Sequence, residues 1–451
     1  MLNHIRSKLN QMSPARLIVS FYFITVAFST ILLSLPVAHK EGVHVKFIDY
    51  LFTAVSAVSV TGLTTVNISD TFSTTGFFFL IIMLQIGGVG VMTLGTFLWL
   101  LIGKKIGLKE RKLIMTDQNQ TNLAGVVKLL KQILIIFIMV ELIGSMILGT
   151  YFLTYYDTWQ EAYLQGLFSA VSATTNSGFD ITGESLKPFA HDYFVQFIHI
   201  LLIILGAIGF PVLIETKDFI MKSKENRQFR FSLFTKITTI MFGLLIVFGT
   251  LLIFLLEYND FFQGKSWHES FFYSLFQSVT TRSAGLTTLD LEQLTEPTLL
   301  VMSVLMFIGA SPSSVGGGIR TTTFALNLLF LYYFAKGNPS IKIFKREIHP
   351  DDLTKSLVVT MLAMMICVTS VIILSITESH TLLEIIFEVA SAFGTTGLSL
   401  GITPDLTTLG KIVLMILMFI GRVGIISFLF MLGGNQKTDH YHYPKERIII
   451  G

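Results

Sequence analysis

The 451 residues are 52% hydrophobic and only 14% charged, and 32 Lys and Arg against 29 Asp and Glu leave a formal net charge of +3. With a mean hydropathy of +0.69, this excludes an ordinary soluble domain, in which about a quarter of residues are charged. The single cysteine, Cys367, excludes an intrachain disulfide.

Residues 1–16 are polar, and no cleavable signal peptide is expected before the first apolar run at 17–36. Seven more long apolar runs follow, at 73–102, 132–153, 193–214, 235–256, 297–319, 356–376 and 412–432. Each is near or above the roughly 20 residues that a helix needs to cross a bilayer. The runs fall into four pairs. Within each pair lies a shorter segment, at 48–58, 163–174, 270–281 and 382–393. These are too short to span and predict re-entrant half-helices. Asp49, Glu161, Glu269 and Glu384 stand at or just before their starts, where an acid meets the partial positive charge of a helix N-terminus.

Each half-helix segment ends in a small residue, a glycine and then Leu or Phe: Thr61-Gly62-Leu63, Ser177-Gly178-Phe179, Ala284-Gly285-Leu286 and Thr396-Gly397-Leu398. The glycines are 116, 107 and 112 residues apart, so the chain reads as four copies of one unit. Three copies match without gaps over eleven residues, with Phe52, Ser56 and Ala57 echoed by Phe168, Ser172 and Ala173 and by Phe387, Ser391 and Ala392. In that register the third copy has Leu275, Val279 and Thr280. Four glycine turns brought to one axis would form a ring of backbone carbonyls, the construction of a cation filter. A cation is therefore expected at the carbonyls near Gly62, Gly178, Gly285 and Gly397.

Of the 32 basic residues, 24 lie before the first span, in the connections between pairs, or after residue 433. By the positive-inside bias, both termini and the three inter-unit connections are expected to be cytoplasmic, with the half-helices entering from outside. The units are placed at 1–110, 111–225, 226–340 and 341–433, followed by a cytoplasmic tail at 434–451.

The second span of each unit carries its own echo. It reads Ile86-Gly87-Gly88-Val89-Gly90, Leu205-Gly206-Ala207-Ile208-Gly209 and Ile420-Gly421-Arg422-Val423-Gly424. Small residues there predict close helix packing in the first and second units. The third unit reads Gly309-Ala310-Ser311-Pro312-Ser313-Ser314-Val315-Gly316-Gly317-Gly318, which cannot hold a helix. Irregular backbone at membrane depth is tolerated only inside protein or along a wet cavity. The segment is therefore expected in the pore below the glycine ring, as a mobile obstruction.

Three cations lie inside apolar segments. Arg422 sits in mid-span, where a charge costs about 3 kcal/mol on insertion scales. It reads either as part of the gate, donating to the broken loop, or as half of a buried ion pair with Glu141 or Glu388. Arg320, just after the loop, is expected to snorkel to the cytoplasmic side. Arg282, three residues before Gly285, is expected to point behind the filter and pair with a carboxylate. There is no nucleotide-binding loop, zinc-protease motif or paired-cysteine site, so no cofactor and no enzyme activity are expected. Nucleic acid is not expected as a partner.

The four filter glycines, the Ile-Phe-Ile-Gly-type second-span motif and the Gly/Ser-rich interruption together resemble the superfamily of Trk, Ktr and HKT potassium transporters. The Gly-Lys-Lys-Ile-Gly-Leu stretch at 103–108 and the short N-terminus are most similar to the membrane subunits of Ktr systems. The resemblance implies an all-α polytopic protein with four membrane–pore–membrane repeats around a central pore. It also implies potassium uptake at the cell membrane, often sodium-dependent, by a homodimer on a cytosolic octameric ring of nucleotide-binding RCK subunits. Carried over, the filter is Thr61, Gly62, Ser177, Gly178, Ala284, Gly285, Thr396 and Gly397, and the gate is the 309–318 loop with Arg422. Ala284 departs from the Ser or Thr of the other units. The rival class is an ion-coupled transporter that alternates access, which typically shows two repeats and acidic residues at the midplane.

Overall fold

The computed structural model describes residues 14–90, 111, 125–222, 229–338, 340–432 and 446. The expected unit boundaries near 110, 225 and 433 and the 103–108 stretch lie outside these residues, as does the tail apart from Glu446.

The helices repeat one plan four times. The first set is α1 (Pro14–Ser34), α2 (Phe47–Ser59) and α3 (Thr74–Val89), and the second is α4 (Val126–Phe152), α5 (Trp159–Thr175), α6 (Tyr193–Ala207) and α7 (Phe210–Lys222). The third is α8 (Leu233–Leu256), α9 (Trp267–Thr280), α10 (Glu296–Ile308) and α11 (Thr321–Ala335). The fourth is α12 (Pro350–Thr377), α13 (Leu382–Gly394), α14 (Thr408–Val423) and α15 (Ile425–Leu432). The one sheet among the described residues is a hairpin between the third and fourth sets, pairing Lys342 with Glu347 and Ile343 with Arg346.

α1, α4, α8 and α12 are each long and apolar enough to cross a membrane unbroken. Their outer faces expose Phe23, Ile24, Met146, Leu251, Met365 and Ile376, which suits a lipid rather than an aqueous surround. The half-helices α2, α5, α9 and α13 have 13, 17, 14 and 13 residues. At 1.5 Å per residue they are about 20–26 Å long, short of the hydrocarbon thickness. Asp49, Glu161, Glu269 and Glu384 all fall in their first turns. Thr381 and Glu384 close a reciprocal capping box, with the Thr381 N–H donating to Glu384 Oε2 at 2.8 Å.

The second spans depart from the sequence expectation. Among the described residues the second and fourth units break as well as the third, and the first ends its helix at a glycine of the same kind. α3 ends at Gly90 (φ 98), α6 gives way to α7 at Gly209 (φ 103), and α14 gives way to α15 at Gly424 (φ 87). The second-unit pair is bent by 104°. The two glycines of each echo have separate tasks. A methyl built on the first, at Gly87, Gly206 or Gly421, would strike the carbonyl of Val58, Thr174 or Phe393 at the end of the same unit's half-helix. The second adopts a positive φ that an L side chain resists. Close packing is thus half of the motif and ending the helix the other half.

The third copy also sits in a different register from the gapless reading. Phe276, not Leu275, is the buried counterpart of Phe52, Phe168 and Phe387, all at most 1% exposed. One residue is missing between this phenylalanine and the glycine, and the α9 C-terminus absorbs the difference.

Asp49, in the first turn of α2, pairs with Lys411 at the start of α14 at 2.8 Å, both side chains being 10% exposed. The pair joins the first unit to the fourth at the end of the half-helices remote from their glycine turns. Lys411→Met strands a buried carboxylate and is expected to cost about 3 kcal/mol. The check is thermal unfolding of purified protein in detergent, with partial recovery in the Asp49→Asn, Lys411→Met double variant.

Candidate ion pathway

The four half-helices point their C-termini at one another, and the chain after each makes the same turn. Two residues before each glycine stands a residue in left-handed conformation: Val60 (φ 56), Asn176 (φ 52), Ser283 (φ 76) and Thr395 (φ 46). The glycines follow with positive φ, at 96° for Gly62, 70° for Gly178, 74° for Gly285 and 92° for Gly397. Backbone conformation therefore disfavours a side chain at these four glycines.

Space excludes it as well. A methyl on Gly62 would strike the Ser177 carbonyl and lie 3.0 Å from the Gly178 Cα; one on Gly178 would lie 2.9 Å from the Gly285 Cα. One on Gly285 would strike the Thr396 carbonyl and lie 3.2 Å from the Gly397 Cα. One on Gly397 would strike the Thr61 carbonyl and lie 3.0 Å from the Gly62 Cα. The contacts close a cycle in chain order. All eight residues singled out from the sequence, Thr61 and Gly62, Ser177 and Gly178, Ala284 and Gly285, and Thr396 and Gly397, thus meet at one place.

The serine six residues before the glycine explains the repeated Ser-Ala. Ser56 Oγ accepts the Gly62 N–H at 3.0 Å, and Ser391 Oγ accepts the Gly397 N–H at 3.0 Å. In the second unit Ser172 Oγ instead donates to the Phe179 carbonyl, and in the third Thr280 Oγ1 donates to the Leu286 carbonyl at 2.6 Å. Thr280 takes the serine's place because of the missing residue. Each hydroxyl fixes its turn from behind, leaving uncharged backbone to form the ring. Backbone oxygens at the negative ends of four half-helices offer a cation ligands without a fixed carboxylate.

Next to this ring lies the 309–318 segment, irregular as expected between α10 and α11, with Ala310, Ser311, Ser313, Ser314 and Val315 all buried. Its backbone is paired with other units. The Ser311 N–H donates to the Ala207 carbonyl at 3.1 Å, the Val315 N–H to Gly206 at 3.3 Å, and the Phe210 N–H to Ser313 at 2.8 Å. Gly309 and Gly318 both have positive φ, and Pro312 stands where the other second spans carry their second glycine.

Arg422 reaches the same segment from the fourth unit. Its guanidinium donates to the Val315 carbonyl of the loop, to Gly87, and to Gly88 at 3.0 Å. It thereby ties α3, the loop and α14 together. The two carboxylates considered as its partners are engaged elsewhere. Glu141 accepts from Gln85 at 2.7 Å, and Glu388 accepts from Ser399 and from Thr403 at 3.1 Å. Arg320 does not reach away from the loop as snorkelling would require; it donates back to the Gly316 carbonyl. Arg282 is fully buried and donates to the Leu305 carbonyl, and among the described residues no carboxylate pairs with it. The expected ion pair is replaced by a carbonyl of α10. Ser283, which sequence reading passed over, joins loop and ring. Its signal was its place two residues before the glycine, where Val60, Asn176 and Thr395 share no chemistry with it beyond the hydroxyl of Thr395.

A helical polytopic membrane protein with four glycine turns closed on one axis belongs to the class of cation-transport proteins. The chain matches the TrkH family model, described as a cation transport protein, over residues 6–433, and it is a member of that family. It is 63% identical to the Ktr system potassium uptake protein D of Bacillus subtilis over 98% of both chains. It is 35% identical to the Ktr system potassium uptake protein B of the same organism, over 97% of each. The potassium/sodium uptake protein NtpJ of Enterococcus hirae is 34% identical over 98% of each. The crystal structure of the potassium transporter TrkH from Vibrio parahaemolyticus shares the fold, with a TM-score of 0.69 at 20% identity over 91% of this chain and 84% of that one. The chain is thus a membrane subunit of the Ktr type, and the family is one of ion transporters, not enzymes.

Proposed function

We propose that this protein carries potassium into the cell through the ring at Gly62, Gly178, Gly285 and Gly397, with the 309–318 loop and Arg422 as its gate. The observation that carries the reading is the closed cycle of contacts among the four glycine turns. Four equivalent turns on one axis favour a conducting pathway over two repeats rocking about a central site. One glycine turn per unit gives fewer stacked carbonyl rings than a long potassium-channel filter, so preference for potassium over sodium is real but modest. The names of the relatives, potassium uptake and potassium/sodium uptake, agree with potassium as the cargo and with a role for sodium.

The same reading sets the surroundings. The chain sits in the cell membrane with both termini cytoplasmic, in units 1–110, 111–225, 226–340 and 341–433 with a tail at 434–451. It works as a homodimer on an octameric cytosolic RCK ring, and nucleotide control resides in that ring because this sequence contains no nucleotide motif. The test is potassium flux in proteoliposomes as membrane potential is increased. A conducting pathway gains about 2.3 kcal/mol per unit charge for each 100 mV, so flux rises with voltage in the absence of any sodium gradient. Flux that requires a coupled ion gradient and ignores voltage overturns it.

A further inference from the structure

Ser283 stands between the glycine ring and the 309–318 loop. It is 0% exposed and has a left-handed backbone, with φ 76. Its Oγ lies 2.9 Å from the Gly394 carbonyl and 2.8 Å from the Thr395 carbonyl, either of which accepts its single proton, and 3.1 Å from Thr395 Oγ1. The same oxygen accepts the Gly317 N–H at 3.1 Å. One hydroxyl thus binds the loop to the filter turns of the third and fourth units. The fit around it is tight. A methyl on Gly316 would lie 2.7 Å from both Cβ and Oγ of Ser283, and one on Gly317 would lie 2.5 Å from Thr395 Oγ1. The loop cannot leave the pathway without breaking the Gly317–Ser283 bond, and no bulkier loop residue would let that bond form.

We infer that Ser283 is a positioning residue that latches the loop beneath the filter, so that opening requires its hydroxyl to release Gly317. The inference rests on the loop being a gate, as proposed above. A buried N–H that loses its acceptor is costly, so the latch favours the closed arrangement while leaving the loop covalently free to move. Glycine is the informative substitution, because it removes the hydroxyl and suits the positive φ. Alanine removes the same hydroxyl while keeping the Cβ that serine already carries at this φ, and serves as a second variant.

The experiment measures potassium flux into proteoliposomes containing the purified chain without a cytosolic partner, in the intact and the 311–317-deleted backgrounds. Ser283→Gly is expected to raise flux roughly five-fold in the intact chain, the scale of one net hydrogen bond, with Ser283→Ala moving it in the same direction. In the deleted background, Ser283→Gly is expected to lose that rise, because the Gly317 N–H is gone and only the bonds to the Gly394 and Thr395 carbonyls are left to remove. An equal rise in both backgrounds overturns the latch, since Ser283 would then act on the filter alone. Unchanged flux in both substituted chains, at wild-type thermal stability, also overturns it. If the deletion by itself leaves flux at the wild-type level, the loop is not a gate, and the proposal above fails together with the latch.

Discussion

Removing residues 311–317 is expected to raise potassium flux at least ten-fold in the absence of a cytosolic partner and to make it insensitive to that partner. The deletion removes the Ser311 and Val315 N–H groups that bond the second unit at Ala207 and Gly206, and the Val315 carbonyl that receives Arg422. What remains beneath the ring is then a gap, where the intact chain places seven buried or half-buried residues. Arg422→Ala is expected to act in the same direction more weakly. It removes donors to Val315, Gly87 and Gly88 together with a positive charge, but leaves the loop bonded to the second unit. The check is potassium uptake with and without the cytosolic ring, at matched amounts of inserted protein. A deletion that inserts normally and keeps wild-type, partner-dependent flux makes the loop structural.

The second large effect is expected at the ring. Gly285→Ser places a side chain against the Thr396 carbonyl and within 3.2 Å of the Gly397 Cα, on a backbone with φ 74. Both strain and contact push the neighbouring turn outward, and widening a carbonyl ring favours no particular ion. The potassium-to-sodium flux ratio should fall roughly ten-fold toward unity, a loss of about 1.4 kcal/mol of discrimination if the carbonyl ring is its source. Gly397→Ser, which meets the Thr61 carbonyl, should behave alike. Bi-ionic potentials across proteoliposome membranes give the ratio directly. Serine variants at all four glycines with wild-type selectivity would remove the ring from the account.

The half-helices were legible because their signal is local. Length, an acid in the first turn and a glycine at the end locate α2, α5, α9 and α13 to within four residues. The glycine ring was legible for the same reason, since a repeated turn needs the same small residue each time. Three features were not. The helix ends at Gly90, Gly209 and Gly424 are hidden because a glycine that packs and a glycine that ends a helix look the same in sequence. The register of the third copy was hidden by one missing residue, and only the burial of Phe276 and the bond from Thr280 to Leu286 reveal it. The partners of Arg282, Arg320 and Arg422 were also out of reach. A membrane-buried arginine suggests a carboxylate, yet broken helices free carbonyls, and those of Leu305, Gly316, Val315 and Gly87 accept from these guanidinium groups. Carbonyl partners carry no residue-type signature, so no sequence pattern announces them.

The most direct test of the central claim is to locate the permeating ion. Diffraction from crystals of the protein soaked in thallium or rubidium, collected at an anomalous edge, reports ion positions independently of flux. The account predicts a peak on the axis enclosed by the turns at Gly62, Gly178, Gly285 and Gly397, within carbonyl-coordination distance of all four and absent in Gly285→Ser. A fully occupied ion elsewhere in the membrane region, with no density inside the ring, would contradict it.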